Sequence, residues 1–322
     1  MKDIYGRELD YLRISVTDRC DLRCMYCMPG ESVEYIPHRS ILTYEEIART
    51  VRIMAGLGVK KVRLTGGEPF VRRDILTLVQ MIRQTDGIQT VGITTNGITL
   101  GDAADKLKDI GADSVNISLD SADPLTYRQI TGHDCLDKVL NGIDKALSLD
   151  MHIKLNCVPV RGINEKDICG LAEFARQFPI DVRYIELMPI GCGRQLQGVP
   201  SDEVLGVLER RYGKAVPQAG SEISSPAVYH SFSGFRGRIG FISPMSHKFC
   251  MGCNRLRLTA DGFLKLCLQY PAGADLRRHL RDGSSDEDIR ELILETVKKK
   301  PLEHSFVHDP SGDGRKMFQI GG

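Results

Sequence analysis

The stretch 11-YLRISVTDRCDLRCMYC-27 joins a β-strand pattern to a cluster of three cysteines. Apolar and polar residues alternate over its first positions, as they do in a strand with two different faces. Cys20, Cys24 and Cys27 follow in a C-x3-C-x2-C arrangement. Thiolates at this density are typical of zinc or iron–sulfur sites, and three of them leave a four-ligand site one short. We therefore expect a metal site at the end of the first strand that either has an open position or is completed by another residue.

The same strand pattern recurs over the first two thirds of the chain, with helical stretches between the strands. Further strands are predicted in KKVRLT from 60, QTVGITT from 89, DSVNISLD from 113, HIKLNCV from 152 and VRYIELM from 182. The first helix is predicted to begin at Thr43, because Thr43 and Glu46 form a capping-box pattern. Six strand–helix repeats predict an α/β fold with a parallel sheet, either a partial or complete (β/α) barrel or an open doubly wound sheet.

The polar residues of these strands carry a second signal. Parallel strands covered by helices on both faces should be almost wholly apolar. Here every second residue in several strands is polar: Arg13, Ser15, Thr17, Lys61, Arg63, Thr65, Asn116, Ser118, Asp120, Lys154 and Asn156. If the apolar set meets the helices, the polar set faces a lumen. A closed eight-stranded barrel fills its lumen with branched side chains, so the pattern favours a more open barrel that holds a polar ligand; the alternative is a sheet with one wet face.

A second set of three cysteines lies beyond residue 210, where the strand–helix rhythm stops and Gly, Ser and Pro become frequent. The set is Cys250, Cys253 and Cys267, in a C-x2-C-x13-C pattern. His247 could complete a zinc site with these cysteines. Arg255 and Arg257, however, stand two apart on a predicted strand, so both guanidinium groups point the same way and suit a polyphosphate. The alternative for the two arginines is a solvated charged face.

Composition and charge argue against several classes of function. The 322-residue chain is 42% hydrophobic with a formal net charge of +1, so we expect a large core and no global basic field for nucleic acid. The N-terminus lacks the apolar core of a signal peptide, and no apolar run is long enough to cross a membrane. We expect a cytoplasmic protein whose ten cysteines stay reduced. No role is assigned to the four isolated cysteines, which are expected to be small buried residues: Cys135, Cys157, Cys169 and Cys192.

The first triplet, with Tyr26 just before its last cysteine, resembles the signature of the radical S-adenosylmethionine enzymes. TGGEPF at 65–70 is a further match after the second predicted strand; its glycines would let the backbone approach a ligand and leave N–H donors free, and alone it could be an ordinary turn before a helix. The resemblance implies a 4Fe–4S cluster on Cys20, Cys24 and Cys27, with the fourth iron chelated by the amino and carboxylate groups of S-adenosylmethionine. Reductive cleavage then gives a 5′-deoxyadenosyl radical that removes a hydrogen atom from the substrate. The cofactor contacts that it implies are Tyr26, Gly67, Ser118 and Met188.

Within that superfamily, the chain resembles the enzymes that cyclise GTP at the start of molybdenum cofactor biosynthesis. The resemblance rests on the order and spacing of LRISVTDRCDLRCMYCMP, RLTGGEP, TTNG, NISLD, the second cysteine set and the final Gly-Gly. It implies a second 4Fe–4S cluster with one open iron on Cys250, Cys253 and Cys267. The GTP contacts that it implies are Arg13, Arg63, Thr94, Lys154, Arg183, Arg255, Leu256 and Arg257. The residues that it implies for catalysis are Arg13, Arg255, Arg257, Gly321 and Gly322.

These expectations combine into one hypothesis. The fold is an incomplete (β/α)6 TIM-like barrel over residues 1–212, followed at 213–322 by a region that binds a 4Fe–4S cluster and GTP and ends in a Gly-Gly tail. The enzyme is a lyase that converts GTP to (8S)-3′,8-cyclo-7,8-dihydroguanosine 5′-triphosphate. Its expected partners are GTP, S-adenosylmethionine and an electron donor such as flavodoxin or ferredoxin, and one expected assembly is a homodimer. The alternatives are a radical S-adenosylmethionine maturase of a peptide or protein with an auxiliary cluster, and a non-catalytic electron carrier or zinc-structured binding module.

Overall fold

The computed structural model describes residues 1–28, 30, 33–218, 226–306 and 313–321. The strands among these residues are β1 (Tyr11–Ser15), β2 (Lys61–Thr65), β3 (Thr90–Thr95), β4 (Ser114–Ser118), β5 (Ile153–Cys157), β6 (Asp181–Ile185), β7 (Val216–Pro217), β8 (Ala227–Ser231), β9 (Ile239–Ile242), β10 (Arg255–Leu258), β11 (Phe263–Lys265) and β12 (Gly273–Asp275). The α-helices are α1 (Tyr44–Gly56), α2 (Ile75–Arg83), α3 (Leu100–Ile110), α4 (Pro124–Thr131), α5 (Leu136–Ser148), α6 (Ile168–Gln177), α7 (Ser201–Tyr212), α8 (Leu276–Arg281), α9 (Asp286–Val297) and α10 (Met317–Ile320).

The described strands form one twelve-stranded sheet, in the order β12-β11-β10-β1-β2-β3-β4-β5-β6-β9-β8-β7. Strands β1 to β6 are parallel neighbours in chain order, and helices connect them. Because every connection crosses back through a helix, the carboxyl ends of all six strands lie at the same edge of the sheet. This is the incomplete (β/α)6 barrel predicted from the sequence, with further strands at both sides.

The C-terminal part of the chain extends this sheet instead of forming a separate layer. β9 pairs in parallel with β6, and β10 pairs in parallel with β1. Antiparallel partners lie outside them, β8 next to β9 and β11 next to β10. From the sequence we expect only that the strand–helix rhythm stops near residue 210. The short strands beyond that point carry no local signal for the strand that they pair with, because that choice depends on residues far away in the chain.

The apolar strand residues and the apolar faces of the helices form the core. Leu12 and Ile14 are wholly buried, as is Met54 of α1. Removing side chains of this size from water stabilises the fold by roughly 1.5–3 kcal/mol each. The first helix begins as predicted, because the Thr43 side chain accepts from the N–H of Glu46 and the Glu46 carboxylate accepts from the N–H of Thr43. In the part of the chain described, every helix is too short or too polar to span a lipid bilayer.

Candidate active site

The polar face of the strands encloses a cavity of about 610 Å³. Most of the polar strand residues predicted to face a lumen line it, among them Arg13, Arg63 and Lys154. Ser15 and Thr17 are exceptions, because both are buried and the Ser15 hydroxyl donates to the Thr17 carbonyl over 3.2 Å. The predicted open barrel with a polar lumen is thus confirmed, in preference to a sheet with one wet outer face.

Both cysteine sets line this one cavity. The six residues are Cys20, Cys24, Cys27, Cys250, Cys253 and Cys267, and all are free thiols. Among the described residues, no group of three or more His, Cys, Asp or Glu side chains could hold a single metal ion. The largely exposed His247 ring lies 3.4 Å from Asp202 and does not line the cavity. The geometry therefore gives no support to a zinc site completed by His247, whereas the chemistry of the donors suits iron–sulfur clusters.

The loop of the first cysteine set is held in place by hydrogen bonds. The N–H of Arg23 donates to the carbonyl of Thr131 at the end of α4 over 2.8 Å. The guanidinium of Arg23 donates to the carbonyl of Cys20 over 2.9 Å. The N–H of Leu22 donates to the sulfur of Cys20 over 3.4 Å. These contacts fix the loop in place, and its three thiols lie along the cavity.

The Gly-Gly turn after β2 packs against this loop. A Cβ atom on Gly66 would lie 2.6 Å from the carbonyl oxygen of Thr17, and one on Gly67 would lie 2.1 Å from that of Arg19. Both positions therefore require glycine. The N–H of Gly67 donates to the carbonyl of Thr17 over 2.7 Å, so the expectation that this turn leaves its N–H donors free is wrong for Gly67. That N–H instead fastens the turn to the cysteine loop.

Glu68 joins the Gly-Gly turn to the end of β3. Its buried carboxylate accepts from the Thr95 hydroxyl over 2.8 Å and from the Asn96 N–H over 2.6 Å. Burial raises the pKa of Glu68 to about 7. The side-chain amide of Asn96 donates to Asp21, in the cysteine loop, over 2.6 Å. Three motifs that are far apart in the sequence, the cysteine triplet, TGGEPF and TTNG, thus meet at one edge of the sheet.

The first cysteine set has an acidic environment. Burial raises the pKa of Cys20 to about 12, and the carboxylates of Glu68 and Asp21 add to the effect. Burial and the carboxylate of Asp120 hold the pKa of Cys24 well above its ordinary value. A thiolate is costly in such surroundings unless a positive group neutralises it. The set therefore suits a bound cationic centre.

The four predicted cofactor contacts all line the cavity: Tyr26, Gly67, Ser118 and Met188. The hydroxyl of Tyr26 donates to Asp120 over 2.5 Å, and Asp120 also accepts from the N–H of Val158 over 2.8 Å. Burial raises the pKa of Asp120 to about 6. Asp120 was predicted to lie on the polar face of its strand, without a role. Its contact with Tyr26 makes it part of the site.

Two buried cations hold the second cysteine set. The Arg7 guanidinium donates to the carbonyl of Cys250 over 2.9 Å. The ammonium of Lys300 donates to the carbonyls of Arg255 (2.9 Å) and Leu266 (2.5 Å). Both cations line the cavity. Neither was predicted from the sequence, because each lies outside the cysteine motif and reaches it only through the fold.

One thiol of the second set, that of Cys253, differs from the thiols of the first set. Burial raises the pKa of Cys250. Burial acts in the same direction on Cys253, but the positive charges of Lys300, Arg255 and Arg257 outweigh it, and the pKa of Cys253 is lowered. A cationic environment of this kind stabilises a thiolate, which is the form that binds metal.

Strand pairing brings the predicted GTP-binding arginines together. In register, Arg13 of β1 stands between Arg257 of β10 and Arg63 of β2. Burial, together with the charges of Arg13 and Arg255, lowers the pKa of Arg257. Buried cations crowded in this way are stabilised by an anionic ligand with many acceptor oxygens. The arrangement can therefore bind a polyphosphate.

Tyr11 lies among these arginines and was not predicted from the sequence. In register it lies between Arg255 and Lys61, and its hydroxyl accepts from Nε of Arg63 over 3.0 Å. Burial by itself would raise the pKa of Tyr11, but Arg63, Arg13 and Arg255 lower it to about 7. Its position two residues before Arg13 on the same strand was the signal that could have identified it.

The remaining predicted contacts lie across the sheet from the arginine cluster. The Lys154 ammonium is 3.8 Å from the Asp181 carboxylate, and Nε of Arg183 donates to the side chain of Asn156 over 2.8 Å. Burial lowers the pKa of Lys154 to about 8 and that of Arg183 to about 10. The contacts with Asp181 and Asn156 use part of the hydrogen-bonding capacity of Lys154 and Arg183. Their charges add to the positive potential of the cavity.

Five residues that line the cavity each have a buried polar atom without a hydrogen-bond partner within the described part of the chain. The atoms are Oγ1 of Thr94, Oδ1 of Asn116, Oδ1 of Asn254, Nε of Arg255 and Nδ1 of His304. An unpaired buried polar atom costs on the order of 1–3 kcal/mol, so these atoms indicate where a polar ligand binds. Thr94 and Arg255 were predicted GTP contacts. Asn116 was not, although it lies between Thr94 and Lys154 in register.

Leu256 and the C-terminal tail differ from the other predicted substrate-binding and catalytic residues in their relation to the cavity. The Leu256 side chain is wholly buried in the core opposite Leu12 and does not line the cavity, so a side-chain contact with a ligand there is not available. The carbonyl of Gly321 accepts from Arg257 over 2.6 Å. A Cβ atom on Gly321 would lie 2.8 Å from the Thr65 methyl group. The tail thus reaches the arginine cluster, while Gly322 lies outside the described residues.

Comparisons with known proteins agree with this geometry. The family model described as Radical SAM superfamily matches residues 14–175, and the one described as Molybdenum Cofactor Synthesis C matches residues 180–306. The GTP 3′,8-cyclase of Clostridium perfringens (strain 13 / Type A) is 45% identical over 325 residues, with 100% of both chains covered. The GTP 3′,8-cyclase of Syntrophomonas wolfei subsp. wolfei is 44% identical over 330 residues, again over 100% of both chains.

Among solved structures, Streptococcus suis SuiB bound to S-adenosylmethionine has a TM-score of 0.62 at 15% identity, and the match covers 92% of this chain and 67% of SuiB. At that identity the likeness shows the fold alone. The sequence relatives support a more specific assignment, because they are similar over the whole chain. The chain therefore belongs to the radical S-adenosylmethionine superfamily and, within it, to the GTP 3′,8-cyclase family.

Proposed function

We propose that this chain converts GTP to (8S)-3′,8-cyclo-7,8-dihydroguanosine 5′-triphosphate by joining C3′ of the ribose to C8 of the guanine. One observation carries the proposal: a single cavity is lined by two sets of three cysteines and by a cluster of buried arginines. The first set suits the radical cofactor and the arginines suit a triphosphate. Membership of the GTP 3′,8-cyclase family supports the same reaction.

The superfamily implies one 4Fe–4S cluster and S-adenosylmethionine. Cys20, Cys24 and Cys27 are the residues that would hold this cluster, because they line the cavity on a loop already fixed by hydrogen bonds. When bound, the cluster and S-adenosylmethionine supply the radical chemistry that removes a hydrogen atom from C3′. The proposed contacts to S-adenosylmethionine are Tyr26, Gly67, Ser118 and Met188.

We assign the second cysteine set to a second 4Fe–4S cluster within a C-terminal region that spans residues 213–322. The support is its three thiols in the shared cavity and the cations around Cys253. Cys250, Cys253 and Cys267 would hold this cluster, and the family resemblance implies that the cluster would bind the guanine ring. Such a cluster would fix one end of GTP while the arginines fix the other.

The contribution of the side chains is to hold GTP in position. Several charge-assisted hydrogen bonds are needed to bind a triphosphate away from water, and Arg13, Arg255 and Arg257 are placed to make them. The ring closure is intramolecular, and holding C3′ close to C8 favours it by restricting GTP to the reactive conformation. The Gly321 carbonyl, bonded to Arg257, limits how that guanidinium can turn. No side chain acts as a nucleophile in this scheme.

An electron donor such as flavodoxin or ferredoxin, a homodimer and a cytoplasmic location stay predictions. The alternative of a peptide maturase has less support. SuiB bound to the precursor peptide SuiA has a TM-score of 0.60 at 14% identity, which shows the fold alone. A cavity whose walls carry Arg13, Arg63 and Arg257 also suits a polyanion better than a neutral peptide.

Anaerobic turnover of GTP deuterated at C3′ tests the proposal. With S-adenosylmethionine and reductant, we expect GTP to be consumed and deuterium to appear in 5′-deoxyadenosine. The Cys24→Ala variant is the control and should form neither product. Deoxyadenosine without loss of GTP, or without deuterium, would refute the assigned substrate. Iron and sulfide analysis should give about eight of each per chain for two cubane clusters.

A further inference from the structure

Lys300 is a buried cation whose charge has no carboxylate partner among the residues that the structure describes. It follows α9, is only 3% exposed and lines the cavity. Its ammonium donates to two main-chain carbonyls. Among the described residues, no carboxylate oxygen lies within ion-pair distance of it, whereas Arg7 is paired with Asp3 and the buried Lys265 with Asp313. Because a buried charge without a counter-charge is costly, Lys300 indicates a negative group other than a carboxylate of the described residues.

The two carbonyls that Lys300 contacts belong to the segments of the second cysteine set. Arg255 lies two residues after Cys253, and Leu266 lies directly before Cys267. One ammonium group thus bridges two chain segments that each carry a thiol. Lys300 and all three thiols of this set also line the same cavity. The negative group that Lys300 faces is therefore the second cysteine set, together with any cluster that the set holds.

We propose that Lys300 tunes the reduction potential of the cluster held by Cys250, Cys253 and Cys267 by compensating its negative charge. The inference rests on the second cluster of the proposed function. A cluster bound by three thiolates is anionic, and reduction adds one more negative charge. A fixed and buried cation favours the reduced form, because charge and hydrogen bonding at the cluster are among the factors that set its potential. Lys300 acts as a positioning residue, since its contacts run to main-chain carbonyls.

The test is a redox titration of the Lys300→Met variant, which keeps most of the side-chain length and removes the charge. Cys20, Cys24 and Cys27 are replaced by alanine in every protein, so that only the second cluster gives an EPR signal. Dithionite supplies the single electron. At a fixed ambient potential we expect the ratio of reduced to oxidised cluster to fall by about tenfold, which corresponds to about 59 mV for one electron.

Lys299→Met is the matched control, because Lys299 carries the same charge one residue away and is exposed to solvent. Its potential should equal that of the parent protein, since water screens an exposed charge. Equal potentials for Lys300→Met, Lys299→Met and the parent would overturn the inference.

Lys300→Gln and Lys300→Arg keep the test decisive if the methionine variant fails to assemble its cluster. Glutamine retains a donor for the carbonyls without the charge, and we expect it to show the lowered potential. If both neutral variants lose the cluster and Lys300→Arg keeps it, the charge is needed for assembly, which supports the inference. Loss of the cluster in Lys300→Arg as well would show that side-chain shape matters and not charge, and would overturn it.

Failure of the inference and failure of the proposed function are distinguishable. About four irons per chain in the unmodified protein, with none after replacement of the first cysteine set, would refute the second cluster itself. About eight irons with an unshifted potential in Lys300→Met would refute only the role of Lys300.

Discussion

The two cysteine sets present the same three donors, but carboxylates lie near the first set and cations lie near Cys253 of the second. Asp21, Glu68 and Asp120 lie near the first set, and burial together with these carboxylates raises the pKa of its thiols. Arg255, Arg257 and Lys300 surround the second set, and their charges lower the pKa of Cys253 against the effect of burial. The two sets are therefore distinguished by the residues around the donors, and not by the type or the number of the donors.

This difference matches the two ligands of the proposed function. S-adenosylmethionine carries a positive sulfonium, which an acidic environment stabilises, whereas GTP carries a polyanionic triphosphate, which requires cations. Exchange of the two ligands between the sets would place like charges together inside one cavity. In the proposed function, the surroundings of each set therefore contribute to specificity.

The largest expected effect is the loss of one cluster at a time. Cys24→Ala should abolish cleavage of S-adenosylmethionine, because the first set then lacks a ligand. Cys253→Ala should abolish GTP cyclisation while S-adenosylmethionine is still cleaved under reductant. Each variant should lose about four of about eight irons per chain. Anaerobic iron analysis and chromatography of deoxyadenosine measure both outcomes.

The two cysteine sets do not differ in function if the two variants behave alike. Loss of S-adenosylmethionine cleavage in Cys253→Ala, with the first cluster intact by spectroscopy, would mean that the two sets do not have separate tasks.

Removal of one of the cations around the second cysteine set should weaken GTP binding more than any single substitution near the first set. Arg257→Ala deletes a buried guanidinium, and charge-assisted hydrogen bonds contribute about 1.5–3 kcal/mol net, so we expect GTP affinity to fall roughly 10- to 100-fold. Anaerobic equilibrium dialysis with GTP measures the change. Arg52→Ala is the control, since its side chain is 65% exposed on α1, and it should leave GTP affinity unchanged. Equal affinities for wild type and Arg257→Ala would contradict the assigned triphosphate site.

Tyr11 should make GTP binding depend on pH. Above its pKa of about 7, the phenolate places a negative charge among the arginines and opposes the triphosphate. The affinity of wild type relative to Tyr11→Phe should therefore fall between about pH 6 and about pH 8, by at most about tenfold per pH unit for one proton. Because ionisation of GTP itself is common to both proteins, the ratio of their affinities isolates Tyr11. Parallel pH profiles would exclude this role.

The smallest expected effect concerns the acidic surroundings of the first set. Asp120→Asn keeps an acceptor for Tyr26 but removes the charge, so we expect S-adenosylmethionine affinity to fall about fivefold, or ~1 kcal/mol, with GTP affinity unchanged. Because the pKa of Asp120 is about 6, the carboxyl is protonated below that pH and wild type should there approach the variant. Asp144→Asn, on the exposed face of α5, is the control. A larger effect on GTP than on S-adenosylmethionine would reverse the assignment of the two environments.

Much of the site could be predicted from local patterns. The alternation in YLRISV identified both a strand and its polar face, because side chains in a strand alternate between two sides. The spacing of Cys20, Cys24 and Cys27 identified a thiolate site for the same local reason. Tyr11 and Asn116 were missed, although they lie on polar faces already recognised, since neither residue type by itself indicates a ligand. A role for Lys300 could not be predicted from the sequence, because it depends on contacts of the ammonium group with the carbonyls of residues 255 and 266.

The sequence by itself determined the donors, the strands and the polar side of each strand, since these follow from spacing along one stretch of chain. Only the tertiary structure decided that the two cysteine sets share a cavity. Parallel pairing of β1 with β10 sets Arg13 beside Arg257, and this contact depends on which distant strand completes the edge of the sheet. Strand pairing is a non-local choice made by packing of the whole core, so the different surroundings of the two sets appear only after the chain has folded.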